Sequence, residues 1–176
     1  GSAILSGHAW HDANFDNIHD AGEANLAGWT VGLYRGNVQV ASTTTDANGL
    51  YAFSGIVPTL TTAGQYELRF TAPGATTTTA KLGLADSVFT NGMQQISGIT
   101  AVSGSNLQNL NLPIDPNGGV FSSISRTPIA GATVTLLHNG TPVASSCFSD
   151  PAQQNQVTLA LGFYKFDLTY SDASCP

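Results

Sequence analysis

The stretch Gly28-Trp29-Thr30-Val31-Gly32-Leu33-Tyr34 indicates the fold class of this chain of 176 residues. Its bulky apolar side chains, Trp29, Val31 and Leu33, recur at every second position, which is the period of a half-buried β-strand. The turn residues 35–37 (Arg-Gly-Asn) follow, and residues 38–45 return as the partner strand of a hairpin. Similar stretches cover residues 4–10, 50–53, 65–71 and 106–112, with weaker ones at 80–84 and 95–101. Together with abundant Thr, Ser and Gly, this pattern predicts an all-β protein.

The strand pattern occurs twice along the chain. Residues 131–136 (Gly-Ala-Thr-Val-Thr-Leu) echo residues 28–33, and residues 162–166 echo residues 49–53 (Gly-Leu-Tyr-Ala-Phe). The stretch Pro113-Ile114-Asp115-Pro116 lies between the copies and predicts a short stiff linker, because each proline restricts itself and the residue before it. We therefore expect tandem β-sandwich domains over residues 1–112 and 113–176, the second of them shorter and lacking its last strands.

Between the first two predicted strands lies an acidic loop, Asp12-Ala13-Asn14-Phe15-Asp16-Asn17-Ile18-His19-Asp20-Ala21-Gly22-Glu23. Its oxygen-bearing side chains stand at loop positions 1, 3, 5, 9 and 12, which is the ligand order of an EF-hand loop, and Ile18 at position 7 would contribute its backbone carbonyl. Two features differ from an EF-hand, since Asn17 replaces the glycine at position 6 and the flanks predict strands. The spacing favours Ca²⁺ over the alternative of a metal-free, Asx-rich turn.

Other chemistry is less well supported at this loop. His8, His11 and His19 could suggest a transition-metal site, but the last two lie beside the ligand positions rather than in register with them. A glycosidase-type carboxylate pair would need one raised pKa in a cleft, and the dense acidic loop fits cation binding better. No Gly-x-Ser-x-Gly motif indicates a nucleophile, so we expect no enzyme. Asp46 is interpreted as an Asx-turn residue, with a further calcium contact as the alternative.

Composition and charge restrict the partners of the chain. Charged residues make up 9% of the sequence, the net charge is −6, and the five Lys and Arg residues are scattered, so nothing predicts binding to nucleic acid or to an anionic membrane. No apolar run approaches the roughly 18–20 residues that a membrane span needs. Cys147 and Cys175 favour a disulfide over metal binding or redox work, because they form no CxxC motif and have no histidine cluster nearby.

Three motifs in this order resemble a known family. They are Asp-x-Asn-x-Asp-x3-Asp-x2-Glu over residues 12–23, Leu-Ala-Gly-x-Thr-Val-x-Leu over residues 26–33, and Thr-Asp-Ala-Asn-Gly-x-Tyr-x-Phe over residues 45–53. The chain is similar to the SdrD B-like and Cna B-type repeats of bacterial surface proteins, strongly over residues 3–71 and 106–112 and moderately over residues 114–168. The resemblance implies a Greek-key, transthyretin-like β-sandwich. It also implies a calcium site with the ligands Asp12, Asn14, Asp16, the Ile18 carbonyl, Asp20 and Glu23.

The resemblance further implies a mechanical role outside the cell. We expect a calcium-stabilised, non-catalytic stalk or spacer segment of a cell-surface or secreted bacterial adhesin. Its partners would be Ca²⁺, the neighbouring repeat domains of the parent chain and a host or cell-surface ligand. The alternative is a ligand-binding module that recognises carbohydrate or a host protein through exposed loops. An exposed aromatic row on one sheet would favour that alternative, and the candidate rings are Trp10, Trp29, Tyr51, Phe53, Tyr164 and Phe166.

Overall fold

The computed structural model describes residues 1–59, 64–83, 93–170 and 173–176. The chain forms two compact units, the first from Gly1–Pro73 and Met93–Ile114 and the second from Gly74–Gly92 and Asp115–Pro176. This division differs from the predicted domains 1–112 and 113–176 in two places. Residues 74–83 pack with the second unit, and residues 113 and 114 complete the first. The boundary near residue 74 is hard to predict because the Thr-rich stretch that follows has no clear strand period.

The first unit contains two four-stranded sheets. Its strands are β1 (Ala3–His11), β2 (Thr30–Arg35), β3 (Val38–Thr44), β4 (Leu50–Ile56), β5 (Tyr66–Thr71), β6 (Met93–Ile99), β7 (Asn106–Leu107) and β8 (Leu112–Ile114). In one sheet β1 pairs antiparallel with β4, and β7 and then β8 run parallel to β1. The other sheet has the order β3-β2-β5-β6, and each neighbouring pair is antiparallel.

An apolar core lies between these sheets. Leu5 of β1, Leu33 of β2 and Phe70 of β5 have no exposed surface. The ring of Tyr51 on β4 packs edge-on against Phe70, with the centroids 5.6 Å apart, so side chains from both sheets meet in one core. Complete burial of one such side chain stabilises the fold by about 1.5–3 kcal/mol. The predicted all-β sandwich is therefore confirmed.

The predicted strand over residues 106–112 is interrupted. After β7 the regular pairing with β1 is interrupted by a bulge at residues 108–111, where Asn109 has a left-handed φ of 60°. Leu110 N–H still donates to the Ser6 carbonyl at 3.0 Å, and the Tyr51 hydroxyl donates to the Leu110 carbonyl. Pairing with β1 resumes as β8, in which Leu112 and Ile114 are fully buried. The prediction of a linker that begins at Pro113 is therefore wrong, because burial of both neighbours holds this proline in an extended strand.

Two other predicted strands have different outcomes. The stretch 95–101 forms a strand that begins and ends two residues earlier, as β6. Residues 80–83 of the weaker stretch 80–84 form no strand, although Ala80 and Leu82 are buried, and residue 84 lies outside the described part of the chain. Ala80 N–H instead donates to the Val157 carbonyl at 2.8 Å, which joins this segment to the second unit.

The strands of the second unit are short. They are β9 (Gly118–Gly119), β10 (Thr133–Val134), β11 (Leu137–His138), β12 (Thr141–Pro142), β13 (Gln156–Val157) and β14 (Phe163–Tyr164). β14 pairs antiparallel with β9, as β4 does with β1, so the sequence repeat is also a repeat of strand pairing. β11 and β12 form a hairpin across Asn139 and Gly140, whose φ angles of 50° and 80° are those of a two-residue type I′ turn.

Side-chain amides act as strand partners in the second unit. The buried Gln156 amide accepts a hydrogen bond from Lys165 N–H at 3.0 Å and donates one to the Lys165 carbonyl at 2.6 Å. Gln154 pairs with the backbone of Leu136 in the same way. The Gln154 amide accepts from Leu136 N–H at 2.9 Å and donates to the Leu136 carbonyl at 3.0 Å. A buried backbone group without a partner is costly, so these glutamines satisfy backbone that short strands leave unpaired.

Two buried lysines connect residues 81–83 with the rest of the second unit. Lys81 Nζ lies 3.0 Å from the Asp150 carboxylate. Lys165 Nζ contacts the Asp115 carboxylate and donates to the Gly83 carbonyl at 2.6 Å. Burial raises the pKa of Asp115, and the adjacent Lys165 opposes that rise. Because a buried charge is stable only when it is paired, these contacts explain why the segment belongs to the second unit.

The predicted disulfide between Cys147 and Cys175 is confirmed, with the Cα atoms 5.5 Å apart and a sequence separation of 28 residues. Cys147 is fully buried beside Val143 and Phe148, and Phe166 packs against this cluster. The disulfide therefore attaches the C-terminal residues to the apolar core of the second unit.

Gln156→Leu is expected to lower the free energy of unfolding of the second unit by about 2–4 kcal/mol, because both backbone groups of Lys165 lose their partner. Urea unfolding followed by far-UV circular dichroism measures this change. Gln108→Leu is the matched control, since Gln108 is exposed. Equal stability of the two variants would show that the Gln156 amide does not act as a strand partner.

Cys147→Ser combined with Cys175→Ser should lower the free energy of unfolding of the second unit by about 3–4 kcal/mol, the chain-entropy value for a loop of 28 residues. Both tryptophans, Trp10 and Trp29, lie in the first unit, so their fluorescence reports that unit alone. We expect faster hydrogen exchange over residues 133–168 and an unchanged tryptophan transition. A tryptophan transition that shifts with the disulfide would contradict this assignment.

Candidate metal centre

The acidic loop, residues 12–23, leaves the end of β1 and returns to it. His11 N–H donates to the Ala24 carbonyl at 2.8 Å, and Leu26 N–H donates to the Ala9 carbonyl at 3.0 Å. Asp12 N–H donates to the Ile114 carbonyl in β8 at 2.8 Å. The base of the loop is therefore closed by hydrogen bonds to two strands of the core sheet.

Asp12 organises the first half of the loop from a fully buried position. Its Oδ1 accepts from Asp16 N–H at 3.2 Å, and its Oδ2 accepts from Asn17 N–H at 2.8 Å. Phe15 and Asn17 both have a φ of 61°, a left-handed conformation that is unusual for a bulky residue such as Phe15. The Asp12 carboxylate therefore stabilises a tight turn whose left-handed φ angles would otherwise favour glycine.

Glu23 closes the second half. Its Oε1 accepts from Ala13 N–H at 2.9 Å, and its Oε2 accepts from Asp20 N–H at 3.0 Å. One carboxylate thus connects the second loop position with the ninth. Position 12 of an EF-hand loop likewise uses both oxygens of its carboxylate, there as a bidentate ligand.

The carboxylates of Asp16 and Asp20 meet at the side chain of Asn14. Asn14 Nδ2 donates to Asp16 Oδ2 at 3.0 Å and to Asp20 Oδ2 at 2.8 Å, so an amide carries partial positive charge to the point where two anions converge. A half turn of this amide would bring Oδ1 to the same point. Three oxygens from positions 3, 5 and 9 would then face it, and a hard dication prefers such ligands. The donor set therefore fits Ca²⁺.

The six predicted ligands are not all assembled around one point. Asp12 and Glu23 direct their oxygens to loop N–H groups, and Ile18 N–H donates to Asp16 Oδ1 at 2.8 Å. Across residues 1–59, 64–83, 93–170 and 173–176, no group of three or more His, Cys, Asp and Glu side chains is arranged to hold a metal ion. Calcium binding by the six predicted ligands stays a prediction.

The histidines near the loop form contacts of their own. The rings of His8 and His19 meet edge-on with centroids 4.4 Å apart, and both lie beside Trp10. His8 Nε2 is 2.8 Å from Asn25 Oδ1, and His19 Nε2 is 3.3 Å from the Glu23 carbonyl. These rings support the base of the loop. The role of Asn25 was missed from the sequence, where no motif distinguishes it.

Other candidates from the sequence lie elsewhere in the first unit. Asp46 Oδ1 accepts from Asn48 N–H at 2.8 Å and Leu50 N–H at 2.9 Å, which confirms the predicted Asx turn. A shallow cleft of about 440 Å³ lies over β1 and β4, with Gln108 and Asn109 of the bulge among its lining residues. Four of the candidate aromatic rings are at most 6% exposed, so they cannot form an exposed row; these are Trp10, Trp29, Tyr51 and Phe53.

The chain belongs to the SdrD B-like domain family, whose model matches residues 3–117. Among curated relatives, Serine-aspartate repeat-containing protein C of Staphylococcus aureus (strain Newman) is 37% identical over 91 residues, which are 51% of this chain and 9% of that protein. The same protein from strain N315 matches with equal identity and coverage. The predicted SdrD B-like resemblance is confirmed, and the chain spans less than a tenth of the length of these relatives.

Two solved structures are similar to the chain at lower identity. The 5-hydroxyisourate hydrolase of Klebsiella pneumoniae has a TM-score of 0.40 at 23% identity and covers 65% of this chain and 92% of its own. GBS52, the minor pilin of Streptococcus agalactiae, has a TM-score of 0.35 at 13% identity and covers 69% of this chain and 48% of its own. Separately, the described residues contain no helix that is long and apolar enough to cross a membrane.

Asp12→Ala is expected to open the acidic loop, because Asp16 and Asn17 N–H lose their buried acceptor. Hydrogen exchange at these two amides should accelerate by a factor of about 10–100, which corresponds to the 1–3 kcal/mol cost of a lost buried acceptor. Asp46→Ala is the control, since it removes an exposed Asx turn outside the loop. Equal protection of the two amides in both variants would show that Asp12 does not order the loop.

Proposed function

We propose that this chain is a calcium-stabilised, non-catalytic spacer segment of an extracellular bacterial adhesin, in which Ca²⁺ binds Asp12, Asn14, Asp16, the Ile18 carbonyl, Asp20 and Glu23. The observation that carries the proposal is the acidic loop itself. Its donor spacing matches a calcium loop, and hydrogen bonds attach its base to β1 and β8. Neighbouring repeat domains of the parent chain would be its covalent partners, and a host or cell-surface ligand would bind elsewhere in that chain.

Electrostatics supports a stabilising role for the metal. Four carboxylates lie within twelve residues of the loop, and like charges at such short range repel one another. Bound calcium would neutralise part of this charge. It would also join the two halves of the loop, because ligands from both halves would coordinate the same ion. Asp12 and Glu23 would coordinate the ion from positions close to those in which they accept backbone hydrogen bonds, so Asn14, Asp16 and Asp20 are the side chains that would reorient most.

The disulfide and the family support an extracellular location. A structural disulfide persists in oxidising compartments and is rare in the cytosol, and the Cys147–Cys175 bond lies in the core of the second unit. Curated relatives of the chain include serine-aspartate repeat-containing proteins. A rigid extracellular spacer is consistent with both observations.

A ligand-binding module remains the second candidate, and the cleft beside the 108–111 bulge is the observation that favours it. The cleft offers amide groups for hydrogen bonding to a carbohydrate or a peptide. Sugar recognition often uses an exposed aromatic face, and Tyr51, which lines the cleft, is only 5% exposed. The spacer function therefore accounts for more of the structure.

Calorimetric titration of chelator-treated protein with Ca²⁺ tests the proposal. We expect one binding event, and a melting transition of tryptophan fluorescence stabilised by about 2.7 kcal/mol when free Ca²⁺ exceeds its Kd by a hundredfold. Glu23→Gln should remove this stabilisation, because an amide is a poorer ligand for a hard dication.

Asp46→Asn is the control for the calcium titration, since it neutralises an acidic residue outside the loop. It should bind Ca²⁺ like the unsubstituted chain. If Glu23→Gln bound Ca²⁺ as tightly as Asp46→Asn, the loop would not be the calcium site.

A further inference from the structure

A rigid hairpin protrudes from the second unit at residues 121–129, which we call the hairpin tip. Phe121 and Pro128 form an antiparallel bridge, Ser122 N–H donates to the Thr127 carbonyl at 2.9 Å, and Arg126 N–H donates to the Ser122 carbonyl at 2.9 Å. The Ser122 hydroxyl oxygen also accepts from two N–H groups of the turn, at 3.2 and 3.3 Å. These bonds fix the conformation of a segment that has little core of its own.

The hairpin tip presents apolar side chains to solvent. Ile124 at its end is 94% exposed, the largest exposed fraction among the bulky apolar side chains in the described part of the chain. Phe121 is 50% exposed and Ile129 is 38% exposed on the two arms of the hairpin. A cluster of exposed apolar residues on a rigid element is a typical feature of an interaction surface.

Arg126 adds a positive charge to this surface. Of the five Lys and Arg residues, Arg69, Lys81 and Lys165 pair with carboxylates, and Arg35 lies 5.7 Å over the ring of Tyr66. Arg126 is exposed and has no ionic or aromatic partner within the described ranges. The chain has a net charge of −6, and Arg126 lies two residues from Ile124, the most exposed bulky apolar side chain in the described ranges. This combination favours a partner surface that carries negative charge beside apolar side chains.

The acidic loop of the first unit has the complementary properties. Phe15 is 57% exposed and Ile18 is 61% exposed, and they alternate with the carboxylates of Asp16 and Asp20. Phe15 combines a left-handed φ of 61° with an exposed ring, although burial of an aromatic ring stabilises a fold. The loop therefore combines negative charge with two exposed apolar groups.

We propose that the hairpin tip of one copy of this chain docks on the acidic loop of a second copy, with Ile124 between Phe15 and Ile18 and Arg126 facing the loop carboxylates. The two surfaces differ, so the contact is heterologous and leaves one free tip and one free loop on every pair. Further copies can add through the free tip and the free loop, into an open chain or a closed ring. The contact does not depend on the proposed calcium binding, since four loop carboxylates exceed the charge of one dication.

A second copy fits this surface better than a lipid membrane does. Attachment to anionic lipid by charge uses clusters of about 4–8 Lys and Arg residues, and the hairpin tip carries one arginine. The contact is much smaller than a standard interface, so we expect a Kd on the order of 0.1–1 mM. Molecules held side by side on one surface reach effective concentrations of this order, which makes such a weak contact effective.

Sedimentation velocity at protein concentrations up to a few times this Kd tests the proposal with two double variants. The tip variant is Ile124→Ser with Arg126→Asn, and the loop variant is Phe15→Asn with Ile18→Ser. Asparagine accepts the left-handed φ of 61° at both of its positions, and the Ile18 carbonyl is retained. We expect each variant alone to associate at least about tenfold more weakly than the unsubstituted chain.

Mixing the two variants distinguishes the proposed contact from a symmetric one. The tip variant retains its loop and the loop variant retains its tip, so the mixture should form a one-to-one heterodimer that cannot extend further. Leu137→Ser is the control, because Leu137 is 53% exposed on β11, outside the hairpin tip. It should associate like the unsubstituted chain.

Three results would overturn the proposal: an unsubstituted chain that stays monomeric over this range, a mixture that forms no heterodimer, or a tip variant that associates normally. A membrane would be identified as the partner by two results together. The unsubstituted chain would not self-associate, and it would bind phosphatidylcholine–phosphatidylserine vesicles that the tip variant does not bind. Calcium titration of the loop variant separates this proposal from the spacer function. If the loop variant keeps the heat of calcium binding but loses self-association, both the spacer function and the contact between copies are supported. If the unsubstituted chain shows no heat of calcium binding, only the calcium site is contradicted.

Discussion

Hydrogen bonding along both edges of β1 is the constraint on which the first unit depends. β4 pairs with one edge, and the parallel strands β7 and β8 pair with the other. Because β8 also accepts the N–H of Asp12, the strand that completes the core sheet is the one that closes the base of the acidic loop. The position of the loop carboxylates is therefore set by the same pairing that buries Leu112 and Ile114.

Local patterns predicted the parts of the structure that depend on neighbours in sequence. The alternation of Val31 and Leu33, the Asx turn at Asp46 and the cysteine pair all have the predicted structure. Features that depend on distant residues were missed. Pro113 and Ile114 of β8 were predicted to begin a linker because a proline restricts itself and the residue before it, whereas their strand partner β1 lies about a hundred residues earlier. In the loop, the spacing predicted a set of calcium ligands but did not show that Asp12 and Glu23 accept hydrogen bonds from backbone N–H groups.

The second unit maintains a β-type fold with little regular strand. Its glutamine amides satisfy backbone groups, its buried lysines pair with aspartates, and one disulfide secures its C-terminal residues. Each of these interactions has a directional requirement that apolar packing lacks. Loss of a single partner leaves a buried polar group without a hydrogen bond. Substitution of these glutamines is therefore more destabilising than substitution of exposed polar residues in the same unit.

The parallel arrangement of β1 and β8 determines how the first unit bears tension. The first unit begins with β1 and ends with β8, although the chain passes through the second unit between β5 and β6, and β1 and β8 run side by side in the same direction. A pull on the two ends therefore slides one strand along the other, and the hydrogen bonds between them, which lie across the direction of pull, bear the load together. Antiparallel terminal strands would separate one bond at a time, like a zipper. This domain is connected so that the bonds between its terminal strands must fail together before it extends.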